Sequence, residues 1–148
     1  EQKIISSLKK ITPLLKRSKV VILFESDYHP KKLKIFLKKF NNRHFGINYD
    51  TGNSAGLGYN IDEEFHAYGR YIKNIHIKDR VLDGKTIRLG LGNADFNKLF
   101  INLKKINYKN LLILQTARAP NKMHKKEILI NVNYLYSKLS ILKKKKYL

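Results

Sequence analysis

The sequence contains no cysteine, and only 11 of its 148 residues are aspartate or glutamate. Without cysteine, disulfide bonds and thiolate metal sites are excluded, which agrees with a protein of the reducing cytoplasm. No apolar run reaches the roughly 20 residues that a membrane-spanning helix needs, and no secretory signal is visible at the start. We therefore expect a cytoplasmic protein with no membrane partner.

The scarcity of acidic residues leaves a formal net charge of +20, from 31 lysine and arginine residues. Such a charge can bind nucleic acid or another anionic surface. The excess is mostly lysine, however, and it is spread over every predicted helix rather than gathered in an arginine-rich stripe. Lysine, isoleucine and asparagine all use A/T-rich codons, so genome composition can produce the same bias. We therefore favour a solvated lysine surface over a dedicated nucleic-acid face.

Short apolar segments alternate with segments of helical periodicity along the whole chain. Five apolar segments, the fourth of them short, predict strands at residues 20–24, 44–49, 72–77, 86–89 and 111–114. Apolar residues spaced three and four apart predict up to five helices, and Pro13 is expected either to kink the first of them, at residues 1–18, or to divide it into two pieces. Strands that alternate with helices favour parallel pairing with right-handed crossovers, in one domain over residues 1–148.

Polar residues follow three of these predicted strands. Glu25 ends the first apolar run, Asp50 ends the second before a glycine-bearing loop, and His76 lies near the end of the third. α/β barrels build metal and catalytic sites from side chains at the carboxyl ends of their strands. These positions therefore indicate an enzyme. Alternatives stay open: Asp27 competes with Glu25, Asp50 is also a good loop cap, and His76 could be a core histidine.

The order of these motifs resembles the sugar phosphate isomerase/epimerase family of xylose isomerase-like TIM barrels. The motifs are Glu25, Asp50-Thr-Gly-Asn53, His76-Ile-Lys-Asp79, Gly90-Leu-Gly-Asn-Ala-Asp-Phe96 and a final strand that ends in Gln115. The resemblance covers essentially the whole chain but only strands 4–8 of the barrel. It implies an α/β fold, a partial TIM (β/α)8-type barrel with about five parallel strands, in which the N-terminal strands 1–3 are absent.

Two features favour a fragment of such a barrel. The first three strands are absent, and the chain begins with glutamate rather than methionine. Part of a barrel has two open edges and an uncovered apolar interior. We therefore expect the isolated chain to associate, with a homo-oligomer as one form.

The resemblance implies a metal-dependent isomerase or epimerase that acts on a sugar or sugar phosphate through an enediolate intermediate. Family members hold a divalent metal with Glu, Asp, His and Glu from four strands. By motif position these ligands are Glu25, Asp50, His76 and Gln115. Such ligands suit Mn²⁺, Mg²⁺, Co²⁺ or Zn²⁺. The implied catalytic residues are Glu25, His76 and Lys78.

Gln115 departs from the family pattern, which has glutamate at this position. A glutamine carbonyl can still bind a metal, but it cannot take a proton, so only Glu25 remains of the two carboxylates that family epimerases use. Aldose–ketose isomerisation with one proton shuttle stays open, whereas two-base epimerisation needs another acid, such as Asp79 or Lys78. Asn53 is a second departure, because many relatives have histidine there.

Polar residues beyond the strand ends are candidates for substrate binding: Asn53, Asp79, Arg80 and Arg118. Asparagine can hydrogen-bond a sugar hydroxyl. The two arginines, together with Lys78, can hold a phosphate or carboxylate. Gly90 and Gly92 permit close backbone approach, and the helix that follows them could accept a phosphate at its N-terminus.

Two rival hypotheses remain. A nucleic-acid-binding or apurinic endonuclease-like protein is supported by the charge and by a distant kinship of the barrel family. The extra histidine and carboxylate ligands that a multi-metal cluster needs are not evident, which weakens this hypothesis. A non-catalytic barrel relative is the other rival, with Gln115 as the trace of lost turnover.

Overall fold

A sheet of four parallel strands is the centre of the computed structural model, which describes residues 1–144. The strands of the chain are β1 (Ile22–Phe24), β2 (Phe45–Asp50), β3 (Ile72–Ile77), β4 (Asp79–Arg80), β5 (Thr86–Ile87) and β6 (Leu112–Leu114). The parallel sheet has the order β1-β2-β3-β6, and β4 pairs with β5 in a separate antiparallel hairpin. This arrangement confirms the α/β class and the parallel pairing predicted from the sequence.

Seven α-helices within residues 1–144 connect and flank these strands. They are α1 (Gln2–Lys10), α2 (Thr12–Ser18), α3 (Pro30–Leu37), α4 (Thr51–Gly56), α5 (Ile61–Tyr68), α6 (Phe96–Lys105) and α7 (His124–Lys144). Pro13 lies in the first turn of α2, where proline is tolerated because its missing N–H would have no helical partner. Residues 1–18 therefore form two helices, which is one of the two outcomes expected at Pro13. No helix among residues 1–144 has both the length and the apolar character of a membrane span.

Helices α3, α5, α6 and α7 pack against one face of the parallel sheet. Ile47 and Tyr49 of β2 and Ile75 and Ile77 of β3 are buried in the same core cluster as apolar residues of α3, α5, α6 and α7. Side chains alternate along a strand, so Asn48 of β2 and His76 of β3, which lie between these buried residues, point to the opposite face. That face carries the polar residues of β2 and β3, as the inside of a barrel mouth would.

A bulge sets the register between β2 and β3. Ile47 pairs with Ile72, but the next pair joins Asn48 with Asn74, so Lys73 is an extra residue on β3. From there the strands run in step, and Asp50 pairs with His76. The bulge therefore brings an acidic strand end beside a histidine.

Two predictions about individual elements are wrong. Residues 86–89 do not join the parallel sheet, because Thr86 and Ile87 pair antiparallel with β4, and the sheet has four parallel strands rather than five. A parallel return needs a crossover of about a dozen residues, and the segment between β4 and β5 is far shorter. The predicted loop after Asp50 is helix α4, which Asp50 caps by accepting a hydrogen bond from Asn53 N at 2.8 Å.

The edges of the sheet predict association of the isolated chain. Within the described residues, β1 and β6 each pair with one strand only, and Leu111 beside β6 is 73 % exposed. Unpaired edges and exposed apolar residues promote strand pairing between molecules. In sedimentation velocity runs at increasing concentration, the 148-residue chain should form dimers or larger species. The variant Leu111→Lys should associate less.

The matched control is Ile35→Lys, which removes a 60 % exposed apolar side chain from α3, away from the sheet edge. This control should associate like the parent chain. A monodisperse parent monomer that unfolds cooperatively would contradict the prediction.

Candidate active site

Glu25, Asp50 and His76 converge at the carboxyl ends of three adjacent strands. One ligand atom from each residue lies within 4.8 Å of the other two. His76 Nδ1 is 3.6 Å from Glu25 Oε2 and 3.9 Å from Asp50 Oδ2. The Asp50 side chain is only 1 % exposed, whereas that of Glu25 is 43 % exposed. The group therefore has a buried floor and an open side.

This group has the donor chemistry of a divalent metal site. Two carboxylates and one imidazole supply the oxygen and nitrogen ligands that Mn²⁺, Mg²⁺, Co²⁺ and Zn²⁺ accept. Ligand atoms about 2.0–2.2 Å from a shared ion lie at most about 4.4 Å apart, so small side-chain movements would suffice. Among the described residues, the group contains Glu25 and not its competitor Asp27.

Asn48, which was not among the residues predicted from the sequence, connects the members of this group. Its Nδ2 donates to Glu25 Oε2 at 2.6 Å and lies 3.0 Å from His76 Nδ1. Its Oδ1 accepts a hydrogen bond from Asn74 Nδ2 at 2.7 Å. The available signal was the spacing of two, since Asn48 precedes Asp50, and Asn74 precedes His76, by one strand period.

Lys78, Arg80 and Asn53 lie directly beside the group. Lys78 Nζ is 3.2 Å from Asp50 Oδ2 and 3.1 Å from Asn53 Oδ1. Arg80 Nη1 donates to the same Asn53 oxygen at 3.3 Å. Asn53 Nδ2 in turn donates to Glu25 Oε1 at 3.1 Å. The structure therefore brings these three predicted residues together with Glu25, Asp50 and His76, three of the four predicted metal ligands.

Asp79 has a different position from the one predicted. Its side chain is fully buried, at 0 % exposure, and accepts backbone N–H bonds from Gly90, Gly92 and Ala94 at 2.8, 3.0 and 3.0 Å. A Cβ at Gly92 would collide with this carboxylate. Direct substrate contact does not fit this position. The loop N–H groups expected to approach a phosphate bind the chain's own carboxylate instead.

The barrel family of the chain follows from a comparison of its sequence with family models. Residues 1–135 match the model described as the xylose isomerase-like TIM barrel. The chain belongs to the xylose isomerase-like TIM barrel family. The resemblance inferred from the strand-end motifs is thereby confirmed for the family and the fold.

Similar proteins extend well beyond the length of this chain. An uncharacterized protein of Methanocaldococcus jannaschii is 27 % identical over 103 residues, which are 68 % of this chain and 35 % of that protein. A xylose isomerase domain protein from Planctomyces limnophilus has a TM-score of 0.82 at 20 % identity, over 97 % of this chain and 55 % of that one. The chain thus spans 35 % of one relative and 55 % of the other.

Two further solved structures show the same fold. A D-tagatose 3-epimerase-like protein has a TM-score of 0.70 at 21 % identity, over 95 % of this chain and 55 % of that one. The 3-keto-D-glucoside 4-epimerase of E. coli has a TM-score of 0.60 at 18 % identity, over 89 % and 53 %. At such identities these likenesses show the barrel fold alone.

Gln115 and Arg118 follow β6 in this xylose isomerase-like barrel. Gln115 N donates to Ile77 O at 3.0 Å, and Ile113 pairs with His76. Strand alternation places Gln115 on the same face as Ile113 and His76, one residue beyond the end of β6. Arg118 is exposed and takes part in no ion pair among the described residues. Its predicted role in substrate binding stays a prediction.

Glu64 of α5 is a further buried carboxylate, in addition to Asp50 and Asp79. It lies behind the site and was also not among the residues predicted from the sequence. It accepts hydrogen bonds from Tyr49 at 2.8 Å, from Tyr68 at 2.6 Å and from the Ser54 hydroxyl. Burial raises the pKa of Glu64 above its ordinary value, although the three hydroxyl donors oppose this shift. Tyr49 adjoins Asp50 at the end of β2, and Ser54 lies on α4. By binding both side chains, Glu64 stabilises the connection from β2 to α4 at which Asp50 caps the helix.

The raised pKa of Glu64 predicts a pH-dependent stability. Because folding favours the protonated acid, this residue stabilises the fold most below pH 4.5, its ordinary pKa, and that contribution is lost as pH rises through the higher folded-state pKa. Glu64→Gln cannot ionise, so its unfolding free energy should not show this loss. Urea unfolding across a pH series measures the unfolding free energy of the variant and of the parent. The difference between the two should shift in the variant's favour as pH rises.

Glu63→Gln is the matched control, because Glu63 is an exposed neighbour on the same helix. The stability of this control should not show the shift in the variant's favour that Glu64→Gln shows as pH rises. Parallel pH curves for the parent and Glu64→Gln would contradict the assignment.

Proposed function

We propose that this chain is the C-terminal part of a metal-dependent sugar or sugar-phosphate isomerase or epimerase that acts through an enediolate of its substrate. The observation that carries the proposal is the convergence of Glu25, Asp50 and His76 at adjacent strand ends. Barrel enzymes place their active sites at this end of the sheet. The names of two structural neighbours, which describe epimerases, agree with this class of reaction.

Glu25, Asp50 and His76 are the residues that would hold the metal. A bound divalent ion would supply Lewis-acid chemistry, polarising the carbonyl and neighbouring hydroxyl of a sugar. Asp50 is well suited to a fixed ligand role, because its other oxygen caps α4. His76 contributes the nitrogen ligand, and Asn48 lies within hydrogen-bond distance of its ring.

Glu25 is the residue proposed to move the proton. Its side chain is the most exposed of the three, so it can face a substrate in the mouth. Asn48 and Asn53 donate to its two oxygens at 2.6 and 3.1 Å, which fixes the carboxylate in one orientation. A positioned carboxylate that takes a proton from carbon and returns it to the neighbouring carbon acts as a general base and then as a general acid.

Lys78 is proposed to stabilise the negative charge that develops on the substrate. Its ammonium group lies beside Asp50 and its side chain is 16 % exposed. A cation held in a partly buried position stabilises a developing oxyanion more strongly than a solvated one would. The Thr51 hydroxyl, which accepts from Lys78 N at 2.9 Å and donates to Lys78 O, fixes the backbone that carries this side chain.

Gln115 favours isomerisation over two-base epimerisation within this proposal. Its amide has an oxygen ligand for a metal but no acid to exchange with a substrate. The burial of Asp79 removes one alternative second acid, which leaves Glu25 as the carboxylate able to shuttle a proton. A transfer between two neighbouring carbons on one face of the substrate needs only one such group.

Metal-dependent thermal stabilisation tests the proposal. In the native polypeptide that carries this chain, Mn²⁺, Co²⁺ or Zn²⁺ should raise the Tm by about 5 °C or more when the metal is at about 100 times its Kd. The variants Asp50→Asn and His76→Ala should lose this shift. Asp50→Asn keeps a side-chain oxygen that can cap α4. Loss of the metal-dependent Tm shift in this variant would therefore result from the missing metal ligand and not from a disturbed fold.

Glu63→Gln, an exposed acid on α5, is the control for lost negative charge and should keep the shift. Absence of a shift in the parent, or a shift that survives both variants, would remove the basis of the enzyme proposal. A shift without turnover of any sugar would instead support the non-catalytic relative.

A further inference from the structure

Two cationic side chains meet at one oxygen atom beside the candidate metal ligands. Lys78 Nζ and Arg80 Nη1 lie 3.1 and 3.3 Å from Asn53 Oδ1. A neutral amide oxygen is a weak acceptor for two cations. A phosphate or carboxylate oxygen at the same place would form charge-assisted hydrogen bonds, which are about twice as strong.

Arg80 is held in the orientation that such an anion needs. Its Nε and Nη2 donate to Gly84 O at 2.9 and 2.7 Å, which fixes the plane of the guanidinium group. The remaining edge, with Nη1, points to Asn53. Because these contacts immobilise the group before any ligand binds, little conformational entropy remains to be lost on binding.

The glycines of α4 make room for both cations. A Cβ at Gly52 would lie 2.5 Å from Lys78 Cγ, and a Cβ at Gly56 would lie 3.1 Å from Arg80 Cζ. Each glycine costs a helix about 1 kcal/mol relative to alanine, yet this short helix contains two, one turn apart. Their position is explained if the helix must lie directly on the side chains of Lys78 and Arg80.

The charges of the two cations are not equally balanced. Lys78 pairs with Asp50, but Arg80 forms no ion pair among residues 1–144, where its contacts are to a backbone carbonyl and an amide oxygen. One partly buried positive charge therefore lacks an anionic partner. The nearby glycine loop 90–94 does not compete for a ligand anion, because its N–H groups already bind Asp79.

We infer that Lys78 and Arg80 form a subsite for an anionic group of the substrate, either a phosphate ester or a carboxylate. The inference rests on the proposed function and narrows its substrate class to sugars that carry a negative charge. Without a ligand, one Asn53 side chain reaches both Glu25 and the cation pair through its two amide atoms. An anionic group that replaces the Asn53 oxygen therefore lies close to Glu25 and to the reacting carbons, as it does in a short sugar phosphate or a sugar acid.

Phosphate binding to metal-free protein tests the subsite without metal chemistry. Inorganic phosphate is titrated calorimetrically in the presence of a chelator, and the parent should bind it saturably. Gly52→Ala and Gly56→Ala change no charge but displace the two cations, and Arg80→Gln removes one. Each should weaken binding about tenfold or more, as expected for losing a hydrogen bond to a charged group. Methyl phosphate and acetate, titrated in parallel, distinguish an ester from a carboxylate by which binds more tightly.

Arg88→Gln is the charge-matched control, since Arg88 pairs with Glu127 away from the site, and it should bind phosphate like the parent. Equal weakening in Arg88→Gln, or unchanged binding in both glycine variants, would overturn the subsite and assign phosphate binding to the overall positive charge. No saturable binding to the parent would also overturn it. If the parent does not bind phosphate but keeps its metal-dependent Tm shift, the subsite alone is wrong. If the parent binds phosphate but shows no metal-dependent Tm shift, the proposed metal-dependent function is wrong.

Discussion

The register of β3 against β2 is the constraint on which the candidate site depends. Ile47 pairs with Ile72, and the bulge at Lys73 then moves every later residue of β3 by one position. In an unbroken register Asp50 would stand beside Ile75, and His76 would point to the other face of the sheet. With the bulge, Asp50 and His76 lie side by side on the same face. Bulges that redirect side chains are common next to active sites.

The segment after β3 divides its residues between the site and the scaffold. His76, Lys78 and Arg80 point to the site and are partly exposed, whereas Ile77 and Asp79 between them are buried at 1 % and 0 % exposure. This alternation continues the period of two that an extended chain imposes. The buried carboxylate is stabilised by the loop N–H groups that it binds, so the same segment that presents two cations also fixes the loop beside them.

Local pattern in the sequence predicted the elements and the strand ends, but not the contacts between distant segments. One helix that follows from apolar residues three and four apart is α6, which buries Phe96, Leu99, Phe100 and Leu103. The alternation of strands and helices led to the parallel sheet, and the strand-end motifs led to the family. The bulge, the pairing of β4 with β5 and the role of Asp79 depend on non-local hydrogen bonds, which no local periodicity encodes. The roles of Asn53 and Gln115 in binding stay predictions.

The position of bound manganese would show directly whether these strand ends form a metal site. It can be measured by anomalous diffraction from crystals of the native polypeptide grown with Mn²⁺. We predict a manganese peak within bonding distance of Glu25, Asp50 and His76, with Asn48 still bonded to Glu25. A crystal that contains ordered Mn²⁺ at another place, with these three side chains arranged as in the metal-free protein, would contradict it.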